Sequence, residues 1–147
     1  GSEMCIRDSP GRAKCGLVLV DPEQRLVIDG VVLPPSRVIN QLKSWSNQGK
    51  LRLILLGNGT SSEQWNPALQ QLASIEIVEE RGTTLRARER YWQLWPARGW
   101  RQLLPRGLRL PPGELDAVAA LVMVEDHLGH RCQWPSPRPA FKSVPAP

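Results

Sequence analysis

Hydrophobic residues recur along this chain with two different periods, which predicts strands alternating with helices. Short apolar, β-branched runs at residues 15–20, 25–33, 51–56 and 75–79 are typical of strands. The run 51–56 (LRLILL) is almost wholly apolar, as expected of a strand covered on both faces in a parallel sheet. The first two runs are separated by turn residues 21–24 (DPEQ), so we expect them to form an antiparallel hairpin.

Apolar residues three and four positions apart predict helices between and after these strands. One stripe consists of Val38, Leu42 and Trp45. A capping box at Thr60 and Glu63 predicts a further helix. Two more helices are expected, from Thr83 or Thr84 to about Leu94, and from about residue 112 to Gly129. The order hairpin, helix, strand, helix, strand, helix, helix predicts an α/β fold, a mixed sheet with helices on both faces.

Length and composition indicate one globular domain and no membrane span. The chain has 147 residues, of which 41% are hydrophobic, enough for a packed core. The longest apolar run, residues 117–124, is far shorter than the roughly 20 residues that cross a bilayer. Cys5, Cys15 and Cys132 are odd in number and lack metal or disulfide spacing, which favours a reducing, cytoplasmic location.

The two ends of the chain differ from the middle. Residues 1–9 (GSEMCIRDS) match the translation of a transposon-end sequencing adaptor, so we interpret them as a library scar fused to a gene fragment that starts near Pro10. Residues 130–147 are rich in proline and predict a disordered tail. The single α/β domain is therefore expected at residues 10–129.

Positive charge is concentrated in one segment. The net charge is +5, yet residues 81–109 contain eight arginines and one acid, Glu89, an excess of +7. Such a patch indicates phosphate binding, the alternative being a solvated arginine-rich helix. Trp92 and Trp95 are candidates for stacking on bases or for anchoring the core. The candidate phosphate-binding residues are Arg81, Arg86, Arg88, Arg90 and Arg101.

Two carboxylates are the candidates for chemistry. Glu80 follows a predicted parallel strand, at the sheet edge where α/β proteins bind ligands, and Asp116 lies in the first turn of the last helix. Converging carboxylates can hold a pair of Mg²⁺ or Mn²⁺ ions about 4 Å apart, which promotes phosphodiester cleavage. The alternative is that Glu80 is a surface carboxylate paired with Arg81, and that Asp116 is a simple first-turn acid that interacts favourably with the helix dipole.

Three ordered motifs resemble the YqgF/RuvX family, and the resemblance covers roughly residues 10–128. Residues 10–17 (PGRAKCGL) resemble the family's D-P-G-R-x-K-x-G-x-A, residues 79–84 (EERGTT) its D-E-R-x-S-T, and residues 115–120 (LDAVAA) its L-D-x-x-A-A. Residues 88–96 and 103–105 are similar to its longer cyanobacterial branch. These proteins are RNase H-like nucleases related to the RuvC Holliday-junction resolvases and are implicated in trimming the precursor of small-subunit ribosomal RNA.

The resemblance implies an RNase H-like sheet and a metal site at Glu80 and Asp116. In the family the central first strand ends in a catalytic aspartate immediately before Pro-Gly. Here Ser9 precedes Pro10, and Asp8 is one residue further back. Because a slip of one residue turns a strand side chain to the opposite face, the catalytic role is not carried over to Asp8. The first strand is therefore expected to be missing or replaced, and this chain to be inactive as it stands.

Three functions follow as hypotheses. The first is a metal-dependent nuclease that cleaves structured RNA during maturation of the small-subunit ribosomal RNA precursor. The second is a resolvase of branched DNA. The third is a non-catalytic module that binds RNA or the ribosome through the arginine-rich helix.

Overall fold

Five strands form one mixed sheet in the computed structural model, which describes residues 2–8, 14–58, 67–96, 99–105, 114–135 and 139. The strand order is β3-β2-β1-β4-β5. Strand β1 is antiparallel to β2 and parallel to β4, and β4 is parallel to β5. This RNase H-like arrangement confirms the predicted α/β class. The strands are β1 (Ser2–Asp8), β2 (Cys15–Asp21), β3 (Leu26–Leu33), β4 (Leu51–Gly57) and β5 (Ser74–Val78).

Among the described residues, three long helices accompany the sheet: α1 (Val38–Gln48), α2 (Thr83–Leu94) and α3 (Asp116–Leu128). Helix α3 ends as predicted at Gly129, whose φ of 78° suits glycine. Short 3₁₀ turns cover Pro35–Arg37 and Gly99–Leu103. A helical turn covers residues 67–70, while the capping box predicted at Thr60 and Glu63 lies outside the described residues. Within the described part of the chain, every helix is too short or too polar to span a bilayer.

The central strand is β1, which we had excluded from the fold as part of a scar. Met4, Cys5 and Ile6 are fully buried. The backbone of Asp8 lies opposite Cys15, at the end of the ladder with β2. The expectation that residues 2–8 take no part in the fold is therefore wrong. An apolar alternating segment fills the position between β2 and β4 because both of its neighbours need a partner for their backbone groups.

The sheet is covered on both faces, as predicted. On one face Val38, Leu42 and Trp45 of α1 pack on even-numbered β1 residues, Met4 and Ile6. On the other face α2 and α3 pack on residues that include Cys5 and Leu55. The alternation along β1 matches the period of a strand, in which successive side chains point to opposite faces. Odd-numbered β1 residues therefore face α2 and α3.

Part of the predicted disordered tail belongs to the fold. The backbone of Gln133 forms a bridge with Leu26, and its N–H donates to the Arg25 carbonyl over 2.9 Å. Cys132 and Trp134 are buried. Any side chain on Gly30 would overlap the Trp134 ring, so glycine there makes room for the indole. The prediction is wrong for residues 132–134, and residues 136–138 and 140–147 lie outside the described part.

Candidate functional site

The two candidate carboxylates belong to residues that lie at the same edge of the sheet. Glu80 lies two residues beyond the end of β5, and Asp116 is the first residue of α3. Strands β1, β4 and β5 run parallel, so their carboxyl ends reach this same edge, as the edge rule predicts. Arg7, near the end of β1, faces α2 and α3 there. We call Arg7, Glu80, Thr83, Thr84 and Asp116 the edge site.

Arg7 is the central group of the edge site. Its side chain is 6% exposed. The guanidinium donates from Nε to Thr83 Oγ1 over 3.0 Å and from Nη2 to Thr84 Oγ1 over 2.7 Å. Its Nη1 lies 3.4 Å from Oδ1 of Asp116. Arg7 thus connects β1 to the starts of both α2 and α3.

Glu80 is held over the sheet by its backbone and by a glycine beneath it. Its N–H donates to Asn58 Oδ1 over 3.2 Å, and its carbonyl accepts the Thr83 hydroxyl over 2.6 Å. A side chain on Gly57 would overlap the Glu80 carboxylate and would also come close to Met123 of α3. The Glu80 carboxylate therefore lies against the end of β4, at a position that only glycine leaves open.

The electrostatics of Cys5 show that Glu80 and Arg7 act on the same place. Cys5 lies on this face of β1 and is fully buried. Burial raises the pKa of the Cys5 thiol, the negative charge of Glu80 raises it further, and the positive charge of Arg7 lowers it. Both charges are therefore within electrostatic reach of one buried thiol.

Asp116 is positioned by direct contact between α3 and β2. Any side chain on Gly16 would overlap the Asp116 backbone carbonyl, so only glycine lets the helix start this close to the sheet. Lys14 Nζ lies 3.3 Å from Oε1 of Glu114, just before the helix. The contact of Gly16 with Asp116 joins the segment PGRAKCGL to the segment LDAVAA, and the pair of Lys14 with Glu114 lies beside it.

The residues present do not fit the metal pair that the family resemblance implies. Glu80 and Asp116 supply the oxygen ligands that Mg²⁺ and Mn²⁺ prefer. Among the described residues, however, no group of three or more His, Cys, Asp or Glu side chains converges. The guanidinium of Arg7 also places a positive charge 3.4 Å from Asp116, where an ion bound to that carboxylate would meet repulsion.

Two of the five arginines predicted to bind phosphate are engaged with carboxylates. Arg86 makes two 2.6 Å hydrogen bonds to exposed Asp126. Arg90 donates to Glu125 over 2.8 Å and 3.0 Å, and the two side chains are 11% and 9% exposed. Its guanidinium also donates to the Cys132 carbonyl over 2.9 Å. Arg90 therefore joins α2 to α3 and to the segment around Cys132, and its contact with phosphate stays a prediction.

The other three arginines differ in position. Arg81 is exposed beside Glu80, and Arg88 is half-buried on α2. The side chain of Arg101 lies outside the described part. Arg81 and Arg88 therefore remain the described candidates for phosphate contact.

The tryptophans of α2 and its C-terminal cap are core anchors. The Trp95 ring centroid is 5.0 Å from that of Tyr91 and 5.2 Å from that of Trp134. Trp92 makes an edge contact with Tyr91 at 5.4 Å. Trp100 in the following 3₁₀ turn is 64% exposed and is the better placed of these indoles to stack on a base.

Arg7 is the residue that sequence reasoning missed. The signal available was its place two residues after Cys5, which puts both side chains on the same face of a strand.

Neither the models of known protein families nor the curated proteins give a match to this chain.

Proposed function

We propose that the chain has the framework of an RNase H-like nuclease that acts on structured RNA, such as the precursor of small-subunit ribosomal RNA, with Glu80 and Asp116 as its acidic pair, and that cleavage requires an aspartate before Pro10 and removal of the Arg7 guanidinium. The observation that carries the proposal is the placement of Glu80 and Asp116 at the same carboxyl edge of a sheet ordered β3-β2-β1-β4-β5. Phosphodiester-cleaving sites need acidic oxygens gathered at one point, and ligand sites of open α/β sheets lie at this edge.

The charge around the edge site suits a polyanionic substrate. Arg81 is exposed next to Glu80, in the turn before α2, and Arg88 lies on α2. The segment from residue 81 to residue 109 has a net excess of +7, eight arginines less Glu89. Binding of RNA is therefore expected to weaken steeply as salt concentration rises, because phosphate contacts release counterions.

The decisive experiment measures cleavage of a transcribed ribosomal RNA precursor with Mg²⁺ or Mn²⁺. The test protein carries Ser9→Asp, which restores an aspartate before Pro10 as the family pattern has it, and Arg7→Met, which removes the guanidinium beside Asp116. We expect cleavage by this protein and its loss on adding Glu80→Gln or Asp116→Asn. Glu79→Gln is the matched control: this exposed neighbour accepts only a local bond from the Arg81 N–H among the hydrogen bonds described, and cleavage should persist. An unchanged rate with Glu80→Gln would refute the assignment.

A non-catalytic RNA-binding module is the second candidate, and a specific observation favours it. The contact between Arg7 and Asp116 fills the acidic edge with a guanidinium. This candidate predicts tight, salt-sensitive RNA binding and no cleavage in the presence of any divalent metal, for the double variant as well as for the parent.

A four-way DNA junction tested in parallel distinguishes the resolvase hypothesis, which predicts a dimer that prefers the junction to RNA.

A further inference from the structure

We infer that Arg7 is a built-in cation that takes the place of a divalent ion at Asp116, so that this chain folds with its acidic edge already neutralised and binds no divalent ion there. The inference rests on the proposed function, because it concerns the metal dependence of the same edge site. One residue of β1, Arg7, thus determines whether the edge site binds a metal ion or stays metal-free.

The first support is the need for a positive charge at this edge. The Asp116 side chain is 13% exposed, and the Glu80 carboxylate lies over Gly57 on the same face. Carboxylates gathered where water is scarce repel one another and favour a nearby cation. In a metal-binding site that cation is the ion, whereas here a guanidinium stands 3.4 Å from Asp116.

The second support is the way in which Arg7 is fixed. Two arms of its guanidinium donate to hydroxyl groups at the start of α2, over 3.0 Å to Thr83 and 2.7 Å to Thr84. The third arm faces Asp116. With a side chain 6% exposed, the group is part of the interior, and leaving Asp116 would break both of its hydrogen bonds to threonine hydroxyls. Its charge is also permanent, because arginine stays protonated in proteins.

The experiment compares binding of Mn²⁺ by the parent chain, Arg7→Met and Arg7→Lys, using calorimetric titration and the rise in melting temperature with added ion. Methionine keeps the length of the side chain and removes the charge, and lysine keeps the charge. We expect no binding by the parent or by Arg7→Lys. Arg7→Met should bind Mn²⁺ with a Kd at least about tenfold below the highest Mn²⁺ concentration at which the parent shows no binding, because a like charge beside the ion is removed. Adding Asp116→Asn to Arg7→Met should abolish the binding.

Two outcomes overturn the inference. One is binding of Mn²⁺ by the parent that Asp116→Asn abolishes, a result that holds even if Arg7→Met fails to fold. The other is a folded Arg7→Met protein, verified by circular dichroism, that binds Mn²⁺ no better than the parent.

Failure of the inference and failure of the proposed function give different results. Binding of Mn²⁺ by Arg7→Met through Asp116, with no cleavage by this variant or by the double variant, supports the inference and contradicts the nuclease. Cleavage by the parent with Mg²⁺ that depends on Asp116 supports the nuclease and contradicts the inference.

Discussion

Helix α3 carries a buried contact between an arginine and a carboxylate at each of its ends, and the two contacts differ in completeness. At the C-terminal end Glu125 receives two bonds from Arg90, at 2.8 Å and 3.0 Å, and also the Cys132 N–H at 2.8 Å. At the N-terminal end Asp116 meets one arm of Arg7 at 3.4 Å, while the other two arms bind threonine hydroxyls.

The Arg90–Glu125 contact is a structural ion pair, whereas the Arg7–Asp116 contact belongs to the edge site. The Arg90–Glu125 pair joins α2, α3 and the segment around Cys132, and its bonds are short and matched. The contact of Arg7 with Asp116 is longer, and Glu80 adds a second carboxylate nearby. An arginine and a carboxylate therefore hold elements together at the C-terminal end of α3 and balance charge at its N-terminal end. Three predictions test this contrast.

The largest expected effect comes from Arg90→Met. It leaves the buried Glu125 carboxylate without its guanidinium, which should cost about 3–5 kcal/mol of unfolding free energy, as for other broken buried pairs. The control is Arg86→Met, which breaks a pair whose side chains are 53% and 51% exposed, for a cost below about 1 kcal/mol. Urea unfolding followed by circular dichroism measures both costs. Equal costs would show that the buried Arg90 pair stabilises the fold no more than the exposed Arg86 pair does.

An intermediate effect is expected from Gly16→Ala at the other end of the helix. The new methyl group would overlap the Asp116 carbonyl, so α3 must shift away from β2 at a cost of about 1–3 kcal/mol. Gly49→Ala is the control, since a side chain there meets nothing within 4 Å and its φ of 179° is extended. Thermal unfolding should show a clear loss for the first variant and little change for the second. A tolerated Gly16→Ala would mean that the helix is not held against the sheet at the edge site.

The smallest effect concerns alkaline pH and the Cys132 segment. Burial raises the pKa of Cys132 from 9.0 to about 11, and the Glu125 charge adds to this rise. Between these values the unfolded chain releases the thiol proton while the folded chain keeps it, so the unfolding free energy falls as pH rises. Cys132→Ala should make that fall shallower in urea titrations from pH 8 to about pH 11. An identical slope in the parent and the variant would show that the thiol is accessible to water in the fold.

The local periodicity of hydrophobic residues explains which parts of the fold could be predicted. The strands at residues 15–20 and 51–56, the hairpin turn and the end of α3 at Gly129 all depend on neighbouring residues, and the structure confirms them. The edge rule predicted the position of Glu80, whereas the pairing of Glu80 with Asp116 was favoured by the resemblance to the YqgF/RuvX motifs. Arg7 could not be predicted, since its role depends on β1 lying between β2 and β4, which is a property of the whole sheet.

The remaining misses also depend on partners distant in sequence. Nothing near Arg90 in the chain distinguishes it from Arg88, and only the facing Glu125 of α3 does so. The proline-rich composition after residue 130 concealed Trp134, whose burial requires the gap at Gly30. Charge clusters and composition therefore predicted the surface charge of α2 better than they predicted which of its side chains contact other elements.

The central place of β1 has a consequence for the order of folding. Strands β1, β2 and β3 are joined by short connections, so this meander can assemble from contacts close in sequence. Strand β4 must return to β1 across α1, and β5 follows only after it. Because distant pairings are slower to form, docking of the β4–β5 half onto the meander is expected to set the folding rate.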